Sequence, residues 1–167
     1  MDAGFSKATK TIVEEVVLDI LVRKCGYRLR EIMILGFGQG GMVGLVCAKE
    51  VGRRVRELGT PAGAGGEDLA GVISIGAPFP LSGSTTGSKN RTPVLLVAGR
   101  DSVVVSDGAV RRTESVFEFL ETARYQRKGD GMPRSRDEMM PVMRFFARRL
   151  LSRQGVPEGA VEVTGLG

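Results

Sequence analysis

Residues 32–49 restrict the fold more than any other stretch of this chain. Ile32-Met33-Ile34-Leu35 is a short apolar run of the kind that forms a buried strand. Gly36-Phe37-Gly38-Gln39-Gly40-Gly41 is a glycine-rich turn, and Met42 to Lys49 continues as a helix. A buried strand that turns at once into a helix is half of a βαβ unit, so a parallel sheet with helices on both faces is expected. Two further apolar runs, Val72 to Ile75 and Val94 to Val97, each end at a glycine, Gly76 and Gly99, and repeat the signature.

Around these runs the chain divides readily. Phe5, Thr9, Ile12, Val16 and Ile20 recur at helical spacing, widened by Val13, Val17 and Leu21, and predict one helix over 5–24 with Gly26 as its cap. The helix after the glycine turn is expected to run from Gln39 to Leu58, with Gly40, Gly41 and Gly44 letting it approach the sheet. Arg53, Arg54 and Arg56 suit its C-terminal dipole. Ser106 or Asp107 caps a helix reaching about Phe119, and Glu121–Gln126 reads as a short fourth strand. Ser135 or Asp137 caps the last helix, in which Met139, Met143, Phe146 and Leu150 make an apolar stripe. Arg144 with Arg148, and Arg149 with Arg153, form i, i+4 pairs expected on its outer side. Residues 1–153 are read as one domain and 154–167 as a tail.

Gly36, Gly38 and Gly40 fall on the spacing G-x-S-x-G, the nucleophile elbow, with glycine where the serine would stand. The run Gly36-Phe37-Gly38-Gln39-Gly40-Gly41 resembles the G-F-S-Q-G-G elbow of the acyl-protein thioesterase, lysophospholipase and carboxylesterase family of α/β-hydrolases. Leu69 to Ile75, Thr92 to Gly99 and Glu138-Met139-Met140 resemble, in order, the family's next two strands and the opening of its last helix. The likeness covers roughly residues 4–150 and implies a partial α/β-hydrolase fold. It also implies upstream strands and an upstream half of the oxyanion hole, so the chain is expected either to be a piece of a longer product or to have that half supplied by a partner or replaced by a binding surface.

The departures from the family decide the functional expectation. The family's nucleophilic serine falls on Gly38. Its acid falls on Ser102, with Asp101 one position away, and its base falls near Met132. The chain contains no histidine. Serine-type acyl transfer needs a weak nucleophile activated by an adjacent base. What survives by resemblance is the helix N-terminus at Gln39 and Gly40, a vestigial oxyanion site. Asp101, with no imidazole to orient, is expected to pair with Arg100 or another arginine, or to cap the next helix.

The expected function is therefore that of a catalytically inactive hydrolase-like domain, a structural or protein-interaction subunit of an assembly, with no cofactor or metal. The alternatives are an acyl hydrolase with Asp101, Ser102 or a loop serine in a new arrangement, a Ser–Lys pair among them, and a basic subunit contacting RNA or another polyanion. The net charge of +5 and the arginines at 144, 148, 149 and 153 motivate the last reading, although no RNA-binding motif is present. The glycine-rich run 59–68 lacks the Lys-Ser/Thr of a phosphate-binding loop. Two cysteines, Cys25 and Cys47, do not make a disulfide framework, and no apolar run is long enough to span a bilayer. An intracellular setting is expected, cytoplasmic or within an organelle after removal of a transit peptide.

Overall fold

The computed structural model describes residues 3–57 and 68–150. The expected tail at 154–167, Arg153, Leu58 and nearly all of the glycine-rich loop lie outside the described residues. Four five-residue strands form one parallel sheet in the order β1 (Met33–Phe37), β2 (Gly71–Ile75), β3 (Val94–Ala98), β4 (Leu120–Arg124). The register pairs Leu35 with Ile73, Ile73 with Leu95, and Leu95 with Glu121. β2 and β3 are buried along their whole length, which explains why they are apolar apart from Ser74, whose hydroxyl donates to the Ala77 carbonyl, whereas the edge strands are partly exposed.

The first helical segment departs from the expected single α-helix. α1 (Ala3–Thr11) passes directly into a π-helical stretch, Ile12–Lys24. At its end the Cys25 N–H donates five residues back, to the Ile20 carbonyl, at 2.9 Å. The wider turn buries Val13 and Val17 and leaves Val16 and Ile20 exposed, against the α-period expectation. α2 (Gln39–Glu57) packs beside it, and Arg54 reaches Glu14 at 2.8 Å. The C-terminal arginines of α2 are thus paired as well as placed at the dipole: Arg53 binds Glu50 and Glu57.

α3 (Asp107–Val116) is capped by the Ser106 hydroxyl, which accepts from the Ala109 N–H. It ends three residues before the expected Phe119, because Phe117 bridges to Asn90 and the chain is already extended. α1, the π segment, α2 and α3 cover one face over a core of Leu45, Val51, Val72, Phe79, Leu96 and Phe117. The Phe79 and Phe117 rings meet edge to face at 6.2 Å.

α4 (Arg136–Arg149), capped by Ser135, covers the opposite face. Its buried side chains are Val142 and Phe145, packed on Ile73, Ile75, Leu95 and Val97. The apolar stripe read from the sequence is not this buried face: Met139, Met143 and Leu150 are exposed. At 100° per residue they lie on the flank of α4 next to Val142 and Phe145, away from Arg144 and Arg148, which overhang β4. Phe146 and Met33 of β1 each pack against the same core, and Leu35 and Phe37 of β1 are about half exposed. One half of this sheet face is therefore closed by α4 and the other half is apolar and open.

Candidate functional site

The strand ends β1 to β3 meet where an elbow-type active site would lie. Gly38 takes φ +53, a left-handed conformation that side chains resist, directly after β1. Its N–H donates to the Ile75 carbonyl at 2.9 Å, and its carbonyl accepts from Gly41 N–H at 2.9 Å and Met42 N–H at 3.2 Å. The helix start at Gln39 and Gly40 thus points its first N–H groups outward at the tip. A side chain at Gly38 would meet nothing within 4 Å, so the tip is open space. Gly36 is different: a Cβ there would run into the Gly40 backbone. Of the three helix glycines expected to face the sheet, Gly41 meets Ser74 and Gly44 meets Ile34 and Val72, but Gly40 has no such neighbour. Its small size matters because Gly36 lies against its backbone.

The loops that carry the acid and base positions are fastened to each other. Asp130 is the hub: its Oδ1 accepts from Gly99 N–H at 2.9 Å, and its Oδ2 accepts from the Ser102 hydroxyl at 2.7 Å. Ser102 Oγ in turn accepts from Val105 N–H at 2.9 Å. Asp101 neither caps α3 nor takes Arg100 as its main partner, as the sequence suggested; its Oδ1 accepts from Gly129 N–H at 2.9 Å. That amide, ahead of the charges of Lys128 and Arg100, holds the Asp101 carboxyl below the usual range. Arg100 N–H donates to Arg127 O at 3.1 Å, and a Cβ on Gly99 would run into the Gly129 backbone.

Arg127 shapes the second loop. It donates to Gly129 O at 3.1 Å and Met132 O at 3.0 Å, pairs with Glu138 of α4 at 2.8 Å, and stacks on the Tyr125 ring at 4.5 Å. The Arg134 N–H, then Arg127, hold the Glu138 carboxyl below its usual range. Met132, the position of the base, is exposed and contributes its carbonyl to Arg127. The Tyr125 hydroxyl is buried with no hydrogen-bond partner among the described residues, and burial raises its pKa. Sequence reasoning missed Asp130, Arg127 and Tyr125. The signal for Asp130 was its place two residues before Met132 in a turn that looked like ordinary loop chemistry.

The remaining candidates lie apart. Ser84 and Thr86 hydroxyls bond each other at 2.7 Å, while Lys49 donates to the Ser84 and Thr86 carbonyls. Burial, then the nearby Arg112, hold the Lys49 amine below the usual lysine range. Arg112 clamps the same loop through the carbonyls of Pro80, Leu81 and Gly83 at 3.3, 2.7 and 2.8 Å. Cys47 is buried, its thiol pushed up to about 12 by burial, and its Sγ faces Thr9 O. Among the described residues no cluster of His, Cys, Asp and Glu fits a metal ion, and no helix is long and apolar enough to cross a membrane. Arg148 binds Glu121 at 2.6 Å, and Arg149 lies 3.7 Å from it. Arg149 is not on the outer side as expected: it is half-buried over the Phe145 ring. Arg144 is exposed and has no ion pair among the described residues.

This parallel sheet, its elbow and its last helix make up part of an α/β-hydrolase fold. Solved structures agree on the fold: a single-residue variant of SOBER1 from Arabidopsis thaliana superposes with TM-score 0.61 at 18% identity, over 90% of this chain and 67% of its own. A second SOBER1 variant gives TM-score 0.61 at 18% identity over 90% of this chain and 66% of its own. YahD, solved with malic acid, gives TM-score 0.54 at 14% identity over 87% of this chain and 63% of its own. The chain thus spans about two thirds of the length of these structures. No protein-family model matches the chain, and no curated protein sequence does.

Proposed function

We propose that this domain is a hydrolase scaffold without acyl-transfer chemistry, used as an interaction module. The observation that carries the reading is the Ser102–Asp130 hydrogen bond. At the place where an acid would orient an imidazole, a hydroxyl and a carboxylate satisfy each other and close the two loops together. Gly38 offers no attacking atom, and there is no histidine in the chain to activate one. Helix N–H groups at Gln39 and Gly40 would stabilise an oxyanion, but stabilisation without a nucleophile gives no acyl-enzyme.

The interaction role is supported by the open half of the sheet face. Leu35, Phe37, Met139, Met143 and Leu150 are exposed apolar side chains on that side. Leu35→Lys with Met143→Lys is expected to lower binding of an environment-sensitive apolar dye several-fold while leaving the melting temperature within about 3 °C. An unchanged dye signal would show that this face is covered.

Acyl turnover tests the other half. The purified chain is expected to hydrolyse short-chain p-nitrophenyl esters and acyl thioesters no faster than a heat-denatured sample. Turnover above that control would overturn the reading. A second reading, an altered hydrolase, draws on one observation: Lys49, with its lowered pKa, sits at the backbone of Ser84. In that case Lys49→Met would abolish the turnover.

A further inference from the structure

The arginines of α4 and the outer edge of β4 together outline a docking site. β4 pairs only with β3, so its other edge has unused backbone donors and acceptors among the described residues. Beside it, between the edge and α4, lies a hollow of about 470 Å³. Its floor is apolar, from Leu95, Ala123, Pro141 and Ala147, and Arg144 and Arg148 stand on its rim. Glu121 already engages Arg148 and Arg149, so the charge left over is positive and centres on Arg144.

We infer that this edge binds an extended acidic segment of a partner protein, adding a strand to β4. Strand addition takes its affinity from main-chain hydrogen bonds and its specificity from alternate side chains. Here one set of side chains would enter the apolar hollow and a carboxylate in the same set would meet Arg144. A polyanion such as RNA fits less well. The floor offers no exposed aromatic ring for a base to stack on. The inference names a partner for the interaction role proposed above, yet it rests on a different surface. A finding of ester turnover would defeat the silent-scaffold reading and leave this edge untouched.

The test uses the full chain and a fluorescein-labelled peptide, Val-Thr-Glu-Thr-Val-Thr, whose two valines and glutamate share one face of a strand, followed by anisotropy. Saturable binding is expected, at least tenfold weaker for the Val-Thr-Gln-Thr-Val-Thr version and at least tenfold weaker for Arg144→Glu. A Val-Thr-Lys-Thr-Val-Thr peptide should regain binding to Arg144→Glu, and exchange of the β4 amides should slow when peptide is bound. Arg144 is exposed and unpaired among the described residues, so the variant is expected to fold, which a thermal melt checks. No binding, equal binding of the Glu and Gln peptides, indifference to Arg144→Glu, or displacement of the peptide by oligouridylate at equal concentration would each overturn the inference.

Discussion

The elbow and the loops that carry Ser102 and Met132 meet at the same end of the sheet but hold their shape in opposite ways. At the elbow the backbone does the work. The left-handed turn at Gly38, the tight packing of Gly36 on Gly40 and the helix start at Gln39 are all in place, and the tip is open. In the loops Ser102, Asp130, Asp101 and Arg127 tie the two segments together through hydrogen bonds. Glycine holds the elbow because it tolerates a backbone conformation that a side chain would resist. The loops are held instead by side chains, which form a clasp.

The largest effect should separate packing from chemistry within the elbow. Gly36→Ala forces a methyl group into the Gly40 backbone and is expected to cost about 3 kcal/mol or more in urea unfolding. Gly38→Ser enters open space, and only its positive φ opposes it, at about 1 kcal/mol. It should fold and still fail to hydrolyse esters, because a serine alone has no base. Equal costs at the two positions would break the comparison.

In the loops, Asp130→Ala strands the Gly99 amide and the Ser102 hydroxyl and is expected to cost about 2 kcal/mol, with Ser102→Ala nearer 1 kcal/mol. If Asp130→Ala were neutral, the clasp would have no structural value.

A smaller effect is expected from pH. Asp101 and Glu138 have folded-state pKa values lowered by backbone N–H groups, so each binds protons more weakly folded than unfolded. Their support for the loops is present above the unfolded values, 3.8 and 4.5, and is lost as pH falls through the lowered ones. Amide exchange at Gly129 and Arg134 should accelerate at acid pH before exchange at Gly41 and Met42, since residues 36–42 carry no carboxylate. Simultaneous loss at both places would show that the loops have no separate acid transition.

The elbow was legible in the sequence because its signal is local: an apolar run, three alternate glycines and a helix within a dozen residues. The sheet was legible for the same reason, since β2 and β3 are largely apolar runs followed by glycine. The clasp was not, because Ser102 and Asp130 are 28 residues apart and each has an ordinary turn role by itself. On α4 the expected apolar stripe was Met139, Met143, Phe146 and Leu150, whereas the buried arc is Val142 with Phe145. Periodicity cannot say which arc meets a sheet, and the π winding of residues 12–24 shifts its buried positions by the same kind of ambiguity.

The account stands on the absence of an activated nucleophile, and a fluorophosphonate probe reports this directly. After incubation of the native chain with the probe, intact mass should be unchanged, and equal to that of a heat-denatured control. A covalent adduct formed only by the folded chain, mapped to Ser102 beside Asp130 or to Ser84 beside Lys49, would contradict it.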